Sequence, residues 1–121
     1  MADLRLYAII SREALKAAGG ARGKMMAQAG HAFLHAYWDP EARFPERAKA
    51  YREGLAKKIV LAAEDTAELE AIAARIEGVG VTLVKDAALT VFKEPTLTAV
   101  GIGPIDEDEV PEWLAKLPGL I

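Results

Sequence analysis

The sequence predicts an α/β fold: a single-domain, three-layer sandwich spanning residues 1–121, with a mixed four-stranded sheet and helices on both faces in the order β-α-α-β-α-β-β-α. Three observations carry this expectation. Short apolar runs, of the kind that form strands buried on both faces, recur along the chain. Between them lie stretches whose apolar residues return every three or four positions, the helical period. Gly, Pro and Asp punctuate the junctions, and neither an internal repeat nor a low-complexity linker breaks the pattern.

Residues 4–10, Leu-Arg-Leu-Tyr-Ala-Ile-Ile, suit a buried central strand. Residues 11–20 carry Ala and Lys and end in Gly-Gly, so they read as a connecting loop or a short helical turn. The next helix begins near Gly23 and stops at Trp38-Asp39-Pro40, because the residue before a proline avoids the helical region and proline cannot continue the ladder. Residues 41–54 form a charged second helix, with Phe44, Ala48, Tyr51 and Leu55 spaced for one apolar face. Residues 58–63 read as the second strand. Asp65 is placed to cap a third helix, whose acidic first turn complements the helix dipole and which ends near Glu77-Gly78. Residues 79–84 form a third strand, 85–95 a polar loop and 96–103 a fourth strand. A short acidic helix over 106–117 tolerates Pro111 only in its first turn.

The polar chemistry concentrates in the first long helix. Gly19-Gly20-Ala21-Arg22-Gly23 is a glycine-rich, cationic entry of the kind whose backbone N–H groups can cradle an anion at a helix start. Lys24, Gln28, His31 and His35 come at intervals of four, three and four residues, so they share one face of a helix that is otherwise almost wholly apolar. Such a stripe needs partners or a cleft. A histidine on an apolar helix is also a common packing residue, and both readings stand for His31 and His35. The segment is not a Walker A loop, since Ala18 and Met25 occupy positions that need Gly and Ser or Thr, so no nucleotide triphosphatase is expected.

With 52% hydrophobic residues, the 121-residue chain can bury a core. No run approaches the roughly 18 apolar residues of a membrane span, and the N-terminus lacks a signal-peptide pattern, so a cytoplasmic protein without membrane contact is expected. The chain has no cysteine, and two histidines four residues apart without a carboxylate motif make a poor ligand set, so neither a metal nor another cofactor is expected. The net charge of −3 hides a polarity. Residues 12–58 carry ten Lys and Arg against five Asp and Glu, while residues 59–121 carry four against twelve. This points to one basic surface, supplied largely by Arg43, Arg47, Lys49 and Arg52 of the second helix and suited to phosphates, although charge runs also simply solvate helix faces.

Two blocks resemble a known family. Arg22-Gly23-Lys24-Met25-Met26-Ala27-Gln28-Ala29-Gly30-His31-Ala32 is similar to the [KR]-G-K-x-A-x-Q-x-x-H-A signature of the archaeal and eukaryotic type of peptidyl-tRNA hydrolase, the Pth2 family, with Met26 at the first Ala position. Lys85-Asp86-Ala87-Ala88-Leu89-Thr90, continuing to Thr96-Leu97-Thr98 and Gly101-Ile102-Gly103-Pro104, resembles that family's D-A-G-x-T … T-x-T … x-I-G-P. The likeness covers essentially the whole chain, in order and with matching spacings.

The resemblance implies an α/β fold, usually a homodimer, that hydrolyses the ester joining a peptide to the terminal ribose of tRNA without a metal. By position it assigns catalytic roles to Lys24, Asp86 and Thr90 and supporting roles to Gln28, His31 and Thr98. With Arg22, the basic residues 43, 47, 49 and 52 would then contact the substrate's tRNA. Ester hydrolysis needs a base for water and a donor for the oxyanion, and Asp86 at a strand end facing Lys24 at a helix start can supply both. The ordinary alternative for such a pair is a surface ion pair. Ala88 replaces the motif's Gly, Val91 a usual polar residue and Pro95 the Gly of a P-G-T turn, and the C-terminus lacks the family's T-G-x-L ending. A non-catalytic relative that binds RNA or a phosphorylated ligand is therefore the second function class.

Overall fold

The first apolar run is continuous because it is covered from both sides. Alternate residues of a strand point to opposite faces. In β1 (Leu4–Ser11), Leu4, Leu6, Ala8 and Ile10 enter the core on one face, while Tyr7 and Ile9 enter the core on the other. The computed structural model describes residues 3–20, 22–86 and 96–120, with the backbone alone for residues 39–42. Within it β1 pairs in parallel with β2 (Lys57–Ala63) and antiparallel with β4 (Thr96–Asp106), and β4 pairs antiparallel with β3 (Val81–Asp86). The sheet is mixed and four-stranded, in the order β2-β1-β4-β3. Helices α1 (Arg12–Ala17), α2 (Arg22–Arg43) and α3 (Pro45–Glu53) pack on one face. On the other lie α4 (Thr66–Arg75) and α5 (Glu112–Ala115), through Leu69, Ile72 and Leu114. The three-layer architecture matches the expectation.

Several local expectations are corrected. Of the two readings of the segment after β1 the helical one holds: it is a short helix, α1, capped by the Ser11 hydroxyl, which accepts the Ala14 N–H at 3.0 Å. Gly19 and Gly20 take positive φ of 69° and 75° and donate to the carbonyls of Lys16 and Leu15, closing that helix. Their amides are thus spent on α1 and do not form an anion cradle. α2 continues through Pro40 to Arg43, because proline's fixed φ is itself helical and its missing N–H removes only one ladder bond near the helix end. The pre-proline constraint acts one proline later, at Phe44, whose φ of −133° and ψ of 61° end α2 before Pro45 opens α3. α3 ends at Glu53, so Leu55 lies beyond it and is 84% exposed rather than part of an apolar face.

Strand β3 starts two residues later than expected and extends through Lys85 and Asp86, which therefore sit in the sheet and not in a loop. β4 runs on to Asp106. Beyond it Pro111 splits the expected terminal helix into a 3-10 turn (Glu107–Glu109) and α5, for which Pro111 serves as N-cap. Ala88, Thr90, Val91 and Pro95 lie outside the described residues.

Two features of β4 set how α2 and its polar side chains meet the sheet. A Cβ on Gly101 would overlap the Ala32 carbonyl, so the absence of a side chain lets the α2 backbone rest directly on the strand. Ala29, Ala32 and Ala36, all buried, continue this small-residue contact along α2. Toward the start of β4 the β3–β4 ladder slips: Val84 faces Ala99 but Lys85 faces Leu97, which makes Thr98 the extra residue of a bulge. The bulge breaks the alternation, so that Leu97 packs with the α4-side core while the Thr98 hydroxyl meets Gln28 of α2.

Candidate active site

A buried polar cluster forms where the first turns of α2 meet the end of β3. Val84 and Asp86 alternate onto the α2 side of the sheet, so the Asp86 carboxylate points at the helix start. Lys24 Nζ lies 2.9 Å from Asp86 Oδ2, and Gln28 Nε2 donates to the same oxygen at 2.9 Å. Lys24 and Gln28 are one helical turn apart, which is why both reach one acceptor. The Asp86 side chain is only 6% exposed and that of Lys24 21%. Water screens such a pair far less than it screens a surface pair.

The charge on Asp86 fixes the rest of the network. An ionised carboxylate accepts only, so it must face the amide nitrogen of Gln28, which leaves the Gln28 Oε1 needing a donor. Thr98 provides it: its hydroxyl lies 3.0 Å from Gln28 Oε1 and 3.3 Å from the Val84 carbonyl. Thr98 is fully buried and Gln28 is 3% exposed, so an unmet hydrogen bond at either would carry the full desolvation cost. The direction of every bond from Thr98 through Gln28 to Asp86 is set by that single negative charge. Gln28 holds the carboxylate against Lys24, and Thr98 holds Gln28.

The other candidates lie elsewhere. His31 and His35 are exposed on α2, their ring centroids 6.3 Å apart, and His35 meets Trp38 edge to face at 5.2 Å. The four-residue polar stripe is thus split, half-buried Lys24 and buried Gln28 in the cluster and the two histidines in solvent. Arg22 opens α2 and Arg43 closes it, about 31 Å apart along the axis at 1.5 Å per residue, so they do not make one patch. The Arg43 guanidinium lies 5.3 Å from the Phe44 ring centroid. Arg47 donates to Glu109 at 3.1 Å and to the Pro104 carbonyl at 3.4 Å, tying α3 to the acidic 3-10 turn. Arg52 donates to the Tyr37 hydroxyl at 2.6 Å, and Lys49 is exposed. Beside them burial pushes the Tyr51 phenol up to about 12, with Tyr37 adding to the rise. Among the described residues no three His, Cys, Asp or Glu side chains gather into a group that could hold a metal ion, and no helix is long and apolar enough to cross a membrane.

Residues 6–120 match the family model described as "Peptidyl-tRNA hydrolase PTH2". The chain belongs to the PTH2 family of peptidyl-tRNA hydrolases. Among its PTH2 relatives, "Peptidyl-tRNA hydrolase" of Methanocaldococcus jannaschii is 38% identical over 95 residues, covering 76% of this chain and 82% of that protein. The Methanococcus vannielii protein of the same name is 37% identical over 105 residues, 85% of this chain and 88% of its own length. "Peptidyl-tRNA hydrolase 2, mitochondrial" of Homo sapiens is 35% identical over 85 residues, 69% of this chain and 48% of that protein. Two features of this cluster escaped the sequence reading. The Thr98 bulge left no local signal, whereas Gly101 did leave one, since a glycine inside a strand marks close approach by another backbone.

The network makes a stability prediction. Thr98→Val keeps the shape but removes the donor, leaving Gln28 Oε1 buried and unmet. Urea denaturation should show a loss of about 1–3 kcal/mol, and Thr98→Ser, which keeps the hydroxyl, should lose clearly less. Equal losses for Val and Ser would mean that packing, not the hydrogen bond, is what Thr98 supplies.

Proposed function

We propose that this chain cleaves the ester between a peptide and the terminal ribose of tRNA by direct attack of water, with Lys24 and Asp86 as the reacting pair. The observation that supports this best is the shielded contact between Lys24 Nζ and Asp86 Oδ2 at 2.9 Å, at the head of a helix and the end of a strand. In this reading the Asp86 carboxylate takes a proton as water adds to the ester carbonyl. The Lys24 ammonium donates to the oxyanion that develops on the carbonyl oxygen. The C–O bond to ribose then breaks, and the ribose oxygen leaves with the transferred proton. Gln28 and Thr98 keep the carboxylate oriented, and Thr90 keeps the catalytic role that the resemblance assigns.

Release of the blocked amino acid from an N-acetyl-aminoacyl-tRNA by the purified chain tests the proposal. Parent activity should survive chelator, and Lys24→Ala and Asp86→Ala should each lower kcat/KM by roughly 10²-fold or more. Removing one member of a shielded pair also strains the fold, so Asp86→Asn, which keeps the shape and the Gln28 contact, should show the same loss with the fold intact. Saturable tRNA binding without any turnover by the parent would instead favour the non-catalytic relative.

Contact with tRNA is part of the same reading. Exposed Arg22, Arg43, Lys49 and Arg52 are suited to phosphates, while Arg47 is largely committed to Glu109. Each phosphate contact releases counterion, so a Lys49→Ala/Arg52→Ala variant should show a slope of log Kd against log salt shallower by about 0.7 to 0.9 per lost contact, similarly for different tRNAs. A slope equal to the parent's would remove these residues from the interface. A homodimer also belongs to this reading: Met26, Leu34 and Val60 expose an apolar flank along α2 and β2 that a second copy would cover. Sedimentation of the purified chain decides it, and a monomer at assay concentration would exclude it.

A further inference from the structure

Trp38 extends the polar line of α2. Lys24, Gln28, His31, His35 and Trp38 come at intervals of four, three, four and three residues, so one edge of the helix leads from the Asp86 cluster toward Arg43. Past Gln28 this edge is open. An exposed helix edge usually carries charged side chains, but here it carries two imidazoles and an indole, with Trp38 55% exposed. The rings touch in sequence: His31 and His35 at 6.3 Å with 40° between planes, His35 and Trp38 at 5.2 Å with 75°. The edge contact from His35 braces the indole from the side while leaving more than half of its surface in water.

We infer that His31, His35 and Trp38 form a stacking track for the unpaired nucleotides at the 3′ end of the substrate's tRNA. The geometry suits a strand whose reacting end sits at Asp86. At 1.5 Å per residue the three rings stand about 10, 16 and 21 Å along the helix from Lys24. Stacked nucleotides advance about 3.4 Å each, so about three of them cover the roughly 10 Å between His31 and Trp38. Bases of every kind stack on imidazole and indole faces, which suits a 3′ end read without regard to the tRNA's identity. Arg22 at one end of the helix and Arg43 at the other supply charge complementary to the strand's phosphates. Because the base-stacking edge is continuous with the ion pair, it would lead the terminal ribose to it. The inference rests on the proposed hydrolase reading for its ligand.

Fluorescence anisotropy of tRNA labelled at its 5′ end tests this on the full chain. The parent should bind intact tRNA more tightly than tRNA trimmed of its unpaired 3′ nucleotides. Trp38→Ala should weaken binding of intact tRNA by about fivefold or more, the usual effect of losing one stacking partner, and Trp38→Phe should recover most of it. Binding of the trimmed tRNA should be the same for the parent and Trp38→Ala. No loss on intact tRNA, an equal loss on both tRNAs, or no preference of the parent for the intact end would each overturn the track. Binding is read without turnover, so a parent that shows this 3′-end preference but releases no blocked amino acid would overturn the hydrolase reading alone.

Discussion

The backbone contact between α2 and β4 at Gly101 is the constraint on which the rest of the structure depends. Helices ordinarily stand off a sheet by the thickness of their side chains. Here Gly101 removes one layer, and the buried alanines of α2 remove much of the other. The helix consequently sits low over the middle strands, and residues on its flank reach the neighbouring strand. Lys24 and Gln28, flanking the alanine line, therefore meet Asp86 on β3 and Thr98 on β4 without long side-chain excursions.

A shielded carboxylate beside an ammonium is a poor device for stability alone, because desolvation consumes most of the Coulombic gain. Its cost is offset here by a second donor on the same oxygen and by the satisfied amide behind it. The cluster fixes a negative charge in place and holds the Lys24 ammonium beside it. A surface pair such as Lys116 with Glu112 does neither, since both side chains are more than 70% exposed.

Much of this was legible in the residues. The double-sided burial of β1 follows from its continuous apolar run, and the cap at Asp65 follows from its position before an acidic turn, its carboxylate accepting the Glu68 N–H at 3.0 Å. Lys24 and Gln28 share a helix face by spacing alone. The failures have physical causes. Pro40 and Pro45 carry the same local signal, and only tertiary context decides which of them marks the helix boundary. Lys85 and Asp86 look like loop residues because strand polarity at a sheet edge is set by what lies opposite, here the ends of β4 and α2. The commitment of Arg47 to Glu109 joins residues 62 apart, which no local pattern reports. The bulge at Thr98 belongs to a pairing between two strands and to neither strand's own sequence.

The central claim is that Lys24 and Asp86 act as one hydrolytic unit. The most direct measurement is kcat/KM for N-acetyl-aminoacyl-tRNA in a double-mutant cycle of Lys24→Ala and Asp86→Ala. Groups that act as a unit are strongly non-additive, so the double variant should be little worse than the poorer single variant. Losses that multiply, each substitution costing the same with or without the other, would contradict the account.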